Sequence, residues 1–323
     1  MWMEGSTSGV YRMWFQHMDI NRIPFYQYNT IIVGTGAAGL NAAVTLHKLG
    51  QKNIALITEG RYMGTSRNTG SDKQTYYKMT QCGSEPDSVR KMAKTLFEGG
   101  CVDGDIAMAE AAGSLRAFYH LVDIGVPFPF NKSGEYVGYK TDHDPLKRGI
   151  SAGPLTSKYM TECLERQAEE RGIPFFDGYQ AVRLLTEEKD GEKRAAGIIA
   201  LNKQKAASPD ERYAVFSAVN IIWATGGEAG MYQASVYPVS QTGGMGVLLE
   251  AGAVAKNLTE SQFGIASVKH RWNLSGTFQQ CLPRYLSAEQ DGSHEREFLN
   301  DYFDTPRQLL TAIFLKGYQW PFD

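Results

Sequence analysis

The stretch Thr30-Ile31-Ile32-Val33-Gly34-Thr35-Gly36-Ala37-Ala38-Gly39-Leu40-Asn41-Ala42-Ala43, followed by Ile54-Ala55-Leu56-Ile57-Thr58-Glu59, decides the fold. It reads as a strand, a glycine turn, a helix and a second strand ending in an acid. Gly34 permits the tight turn, and Gly36 lets backbone N–H groups approach a pyrophosphate with no Cβ in the way. Gly39 lets the helix lie close on the sheet, so that its N-terminus offers partial positive charge to phosphates. Glu59 stands where a carboxylate accepts hydrogen bonds from an adenosine ribose, and an acid there argues against NADP. The pattern predicts dinucleotide binding on an α/β, Rossmann-like domain.

Outward from that core, 323 residues allow one large or two ordinary domains. With 42% apolar and 21% charged residues and a net charge of −2, the composition is that of a soluble globular protein. No basic block suggests nucleic acid, and no apolar run is long enough for a membrane span. Cys82, Cys101, Cys163 and Cys281 are scattered without a CxxC, as are the six histidines, so the sequence points to no metal or iron–sulfur site of its own. Free thiols and the absence of a signal-peptide pattern point to the cytoplasm. Residues 1–28, with Trp2, Trp14, Phe15, Phe25 and Tyr26, read as an N-terminal extension.

Helices are predicted from Leu40 to Leu49, from Pro86 to Glu98, from Gly104 to Ile124 and from Leu155 to Arg171. Pro86 is placed at the start of the second, where its missing N–H is harmless. Four short strands, 180–185, 195–201, 212–217 and 219–224, with turns at Asp190-Gly191 and Ser208-Pro209-Asp210, predict a β-meander. The last of these, Val219 to Ala224, reads as buried. It runs into Ala224-Thr225-Gly226-Gly227, a small-residue turn that makes room for a cofactor or is an ordinary strand–turn corner. Thr242-Gly243-Gly244-Met245-Gly246 reads as another glycine-rich helix start, ending at Ala251-Gly252-Ala253.

With these motifs in this order, the chain resembles the flavoprotein subunits of succinate dehydrogenases and fumarate reductases, a family that includes L-aspartate oxidases. The resemblance runs through most of residues 29–255 and implies FAD bound in an extended conformation, with an inserted α+β cap domain following. It implies a FAD-binding domain over 29–255, a partial cap over 256–323 and a chain corresponding to an N-terminal portion of the family's length. FAD contacts are implied at Gly34, Gly36, Ala37, Ala38, Gly39, Glu59 and Gly60. Others fall at Ser66, Thr69, Gly70, Ser71 and Asp72, in a loop that wraps the cofactor, and at Ala224 to Gly227 and Thr242 to Gly244. Read alone, the loop residues are turn formers on a surface. The loop, 64–74, lacks the histidine that covalent members carry, which implies non-covalent FAD.

The chain also departs from the family. Gly244 replaces the acid of the family's Thr-Gly-Asp-Gly motif. Gly264 stands where fumarate reductases have a substrate-binding histidine, and Gln279-Gln280 stands near the family's Thr-Glu pair. A glutamine amide hydrogen-bonds substrate but does not relay protons. Thr305-Pro306-Arg307-Gln308 resembles the cap segment whose arginine protonates substrate, which makes Arg307 the candidate acid; the alternative is a surface arginine in a helix's first turn. The resemblance therefore implies an FAD-dependent oxidoreductase exchanging hydride with a small polar, carboxylate-bearing substrate other than fumarate, succinate or aspartate. The alternatives are an electron-transfer subunit of adenylylsulfate-reductase plan, passing electrons to an iron–sulfur partner, and an inactive FAD-binding remnant.

Overall fold

The computed structural model describes residues 23–69, 74–83, 85–100, 102–141, 144, 146–209, 211–227, 243–256, 266–267, 272–273 and 281–314. They form two compact units. The first holds the described residues up to Asn68 together with 160–227 and 243–254; the second holds 69–159 and those from 255 onward.

The first unit is built on a six-stranded sheet. Strand β1 is Phe25–Val33 and β2 is Ile54–Thr58; two further pairs of short strands, β3 (Tyr76–Tyr77) with β4 (Gly149–Ile150) and β9 (Ala266–Ser267) with β10 (Trp272–Asn273), lie in the second unit. The sheet is completed by β5 (Phe175–Asp177), β6 (Tyr179–Lys189), β7 (Glu192–Asn202) and β8 (Tyr213–Trp223), in the order β5-β2-β1-β8-β7-β6. Neighbours from β5 to β8 are parallel, whereas β8-β7 and β7-β6 are antiparallel. Ile31, Ile32 and every residue of β2 are buried. Such unbroken apolar runs suit parallel strands covered on both faces. Helix α1 (Ala37–Lys48) covers one face through Gly39, Leu40, Ala43 and Val44, and Gly50, at φ +100°, ends it.

Strand β1 begins at Phe25, ahead of the apolar run. Tyr26 stacks on Phe216 with ring centroids 4.9 Å apart and meets Phe176 edge-on at 4.7 Å, so aromatic packing extends the strand backward. The meander has three strands where the sequence suggests four. Residues 213–223 form one continuous strand because β7 pairs along its first half and β1 along most of its length. Within it Val219 is 72% exposed, so the segment read as buried is half open. The β6–β7 turn is Asp190-Gly191, both at positive φ, as a two-residue hairpin requires.

In the second unit, α3 (Val89–Glu98) packs on α4 (Gly104–Asp123) through Met92, Ala93, Ala107 and Ala111. A four-residue helix, α2 (Thr65–Asn68), and α5 (Thr156–Glu170) precede and follow them in sequence. The start of α3 is set by Ser88, whose hydroxyl accepts from Lys91 N, and not by Pro86. Asp87 turns away to Arg148, which is fully buried: Nε and Nη2 donate to the two carboxylate oxygens at 2.9 and 2.8 Å. Short α6 (Met245–Glu250) lies in the first unit and α7 (Pro306–Phe314) in the second.

Candidate functional site

At the C-terminal end of β1 the chain turns through Gly34 with φ +108°. The turn is locked on both sides: Gly34 N donates to Ile57 O at 2.8 Å, and Ala224 N donates to Val33 O at 2.7 Å. A methyl group on Gly34 would sit 2.3 Å from Ala224 O, and one on Gly39 would sit 2.1 Å from Gly34 O. Both glycines are therefore required by backbone contact within the protein. Thr35 adds a buried hydrogen bond to Thr58, Oγ1 to Oγ1 at 2.9 Å, tying the turn to the end of β2. Nothing in the sequence pattern marks that pair.

Gly36 is different. It is the N-cap of α1 with φ −76°, a conformation open to any residue, and a methyl group there meets only the Ser66 hydroxyl at 3.3 Å. No backbone contact within the protein requires glycine there. The first turn of α1 carries no acid, while His47 and Lys48 lie in its last turn. The positive end of the helix is thus left without an anionic side chain of its own helix, an arrangement that favours an anion beyond Gly36, Ala37 and Ala38.

Ser66 faces this turn from α2, where its Oγ accepts from Ala37 N at 3.3 Å. Ion pairs hold the segment in place. Arg67 pairs with Glu165 of α5, both about one-tenth exposed, and Arg61 Nε donates to Glu165 Oε1 at 2.5 Å and pairs with Glu169. Burial works against the Arg61 cation, but the hydrogen bonds it donates to Glu165 and Glu169 outweigh that and raise its pKa. Arg61 also stacks on Phe175, 4.2 Å from the ring centre. These residues are a hundred positions apart, and sequence spacing does not reveal them.

Glu59 follows β2, and its carboxylate accepts from Lys203 Nζ at 2.7 Å. Gly60 opens a turn in which Met63 N donates to Gly60 O, and a Cβ there would displace the exposed Met63 side chain. Beyond β8, Ala224 lines Gly34, and Gly226 has φ +78°. Gly243, at φ +73°, and Gly244 lead into α6. A methyl on Gly244 would lie 2.6 Å from Trp223 Nε1 and 2.9 Å from Thr225 Oγ1, so the first unit brings Gly244 against the end of β8. Thr69 lies in the second unit, where its carbonyl accepts from Gln74. Gly70, Ser71, Asp72 and Thr242 lie outside the described residues, as do Gly264, Gln279 and Gln280.

Arg307 is exposed in the first turn of α7. That turn is closed by a capping box: Gln308 N donates to Thr305 Oγ1 and Thr305 N donates to Gln308 Oε1. Gln308, found where the family pattern has an acid, thus has a helix-starting role of its own. Among the described residues no group of three or more His, Cys, Asp or Glu could hold a metal, and no helix is long and apolar enough to cross a membrane.

The chain is 28% identical to an L-aspartate oxidase of Agrobacterium fabrum, over 72% of this chain and 42% of that protein. It is 27% identical to the 8-methylmenaquinol:fumarate reductase flavoprotein subunit of Wolinella succinogenes, over 82% of this chain and 42% of that one. The chain thus spans less than half the length of these relatives. In fold it resembles the open conformation of a flavocytochrome c3 fumarate reductase, with TM-score 0.67 and 18% identity over 98% of this chain and 55% of the other. The family model described as FAD binding domain matches residues 29–283, most of the chain. This chain belongs to the FAD binding domain family.

Proposed function

We propose that this protein is an FAD-dependent oxidoreductase acting on a small polar, carboxylate-bearing substrate. The observation that carries the reading is the β1–α1 turn: Gly34 and Gly39 are consumed by the fold, while Gly36 is left bare at a helix N-terminus with no acid in its first turn. These residues fit a dinucleotide's pyrophosphate, with the backbone N–H groups of Gly36 and Ala38 offered to it and Ala37 beside them, its own N–H bonded to Ser66. Glu59 would receive the adenosine ribose, sharing its carboxylate with Lys203. Thr225, Gly226, Gly227, Thr242, Gly243 and Gly244, and separately Thr69 to Asp72, are proposed as contacts of the flavin half on their sequence match to the family alone. Bound FAD supplies the hydride chemistry, and the protein supplies binding, orientation and electrostatics.

The likeness to L-aspartate oxidases and a fumarate reductase flavoprotein supports oxidoreductase chemistry on a carboxylate. A substrate other than fumarate, succinate or aspartate is proposed from Gly264 and Gln279-Gln280, which lack the imidazole and carboxylate of the family pattern. Arg307 is proposed as the proton donor on its sequence match alone. The FAD is proposed to be non-covalent, since 64–74 holds no histidine.

A visible spectrum of the purified chain tests the core of this reading. FAD added to the protein should be retained through gel filtration with flavin absorbance near about 450 nm, and acid precipitation should release it to the supernatant. Retention of NADP in preference to FAD would refute the cofactor assignment, and colour left in the acid pellet would refute non-covalent binding.

A further inference from the structure

Helix α2 is four residues long and none of its residues is buried, so apolar packing does not seat it. Four residues also make too short a helix to hold a position of their own. Yet α2 places the Ser66 hydroxyl on the Ala37 amide, 3.3 Å away, at the start of α1. The seat comes from α5, where Glu162, Glu165 and Glu169 lie on one helix face. Arg61, before α2, and Arg67, within it, both reach that row, and Glu165 is the member they share. Its Oε1 accepts from Arg61 Nε at 2.5 Å and its Oε2 accepts from Arg67 Nη2. Glu162 and Glu169 are exposed, whereas the Glu165 side chain is only 10% exposed. One buried carboxylate thus grips both ends of the segment 61–67. Stability alone does not call for such a cluster, since apolar residues of similar volume often serve as well. Ser66 accepts in its bond to Ala37, so its hydroxyl hydrogen can be given to a third group.

We infer that Glu165 is a positioning residue of the cofactor site: through Arg61 and Arg67 it holds Ser66 at the Ala37 amide, where the hydroxyl donates to a phosphate of bound FAD. The inference rests on the cofactor cradle proposed above and is separable from it.

The test uses the full chain in one cycle: wild type, Ser66→Ala, Glu165→Gln and the double variant, each titrated with FAD. Ser66→Ala should raise the Kd about tenfold, the scale of one hydrogen bond to a charged group. Glu165→Gln should raise it about as much. The double variant should bind no more weakly than either single one, because both changes remove the same hydroxyl contact. Glu165→Gln also lowers the melting temperature of the FAD-free protein, as breaking a buried ion pair does, so the coupling in Kd decides. A role in stability alone would leave the Kd of the folded variant within about twofold of wild type. A role through charge alone would have the opposite sign, since arginines released beside the cradle would tighten FAD binding. Either result, an additive cycle, or a Ser66→Ala variant that binds FAD like wild type overturns the inference and leaves the cradle standing. If wild type takes up no FAD, the cradle and the inference fail together. Should Glu165→Gln not fold, Arg67→Gln opens the same grip from the other side and replaces it in the cycle.

Discussion

Gly36→Ala separates what the β1–α1 turn does for the fold from what it does for a ligand. The backbone at 36 has φ −76°, so alanine meets no conformational strain, and its methyl reaches only the Ser66 hydroxyl at 3.3 Å, which a small rotation relieves. The remaining cost is that of a poorer N-cap, since alanine caps less well than glycine, roughly 0.5–1 kcal/mol. Gly39→Ala is the contrasting case, because its methyl would stand 2.1 Å from Gly34 O, a backbone atom fixed between β2 and β8. That variant must part the helix from the turn and should lose several kcal/mol, on the order of 3 or more, as overpacking of rigid neighbours does. For FAD the ranking of effects changes. A methyl at 36 blocks the close approach of a phosphate to the helix N-terminus, and losing one charge-assisted N–H contact costs about 1.5–3 kcal/mol, or about 10–150-fold in Kd. Thermal melts of the FAD-free proteins measure the first effect, and titrations followed by flavin fluorescence measure the second. Gly36→Ala should therefore melt close to wild type and bind FAD at least about tenfold more weakly. If it melts normally and binds FAD within twofold of wild type, the reasoning that Gly36 is bare for the cofactor is wrong.

Other outcomes follow from the same structure. Asp87→Asn leaves the buried Arg148 guanidinium with Asp144, 3.5 Å from its Nη1, as its remaining carboxylate partner, and should destabilise the protein by about 1.5–3 kcal/mol in urea unfolding; a loss below about 1 kcal/mol would make the pair incidental. Although burial opposes its charge, Asp87 is held below its ordinary pKa of 3.8 by the bonds from Arg148 and by the Thr80 and Ser88 amides. The unfolded chain therefore takes up that proton first, so the stabilisation is complete above about pH 4 and is lost as pH falls through the lowered folded value. In Asp87→Asn this portion of the acid-unfolding curve should flatten; an unchanged curve would assign it to other carboxylates. With a carboxylate substrate that reoxidises the reduced flavin, Arg307→Lys should cut turnover by about a hundredfold or more at unchanged FAD content. Near-normal turnover would make Arg307 a surface residue.

What the sequence made legible was local. The β1–α1–β2 unit could be read because its glycines stand at fixed offsets and its strands are unbroken apolar runs, a pattern set by neighbours in the chain. Asp190-Gly191 was legible for the same reason, since a two-residue hairpin asks for positive φ at both positions. The readings that failed depend on partners far away. Strand β8 looks like two pieces because Ser217 interrupts its apolar pattern, yet the ladders to β1 and β7 carry it through. Pro86 looked like a helix start, but Arg148, sixty residues on, draws Asp87 away and leaves Ser88 to cap.

At the site the same division explains Gly244. In the sequence it is a missing acid, a loss measured against a family pattern. In the fold it is one half of a steric pair, because the Trp223 indole would overlap any side chain placed there. Position 223 is the residue before the small-residue turn, so its side chain cannot be interpreted without knowing which residue packs on it. The pairing makes a prediction about double variants. Gly244→Asp alone should destabilise the protein, since its Cβ would overlap the indole. Trp223→Ala alone should also destabilise, by about 3–5 kcal/mol for a large aromatic removed from the edge of a core. Combined, they should cost at least 1 kcal/mol less than the sum, because the smaller residue vacates the space the acid needs. Urea unfolding of the four proteins in the cycle measures that coupling. An additive cycle would mean that position 244 and the indole do not compete for one volume, and that glycine at 244 has some other origin.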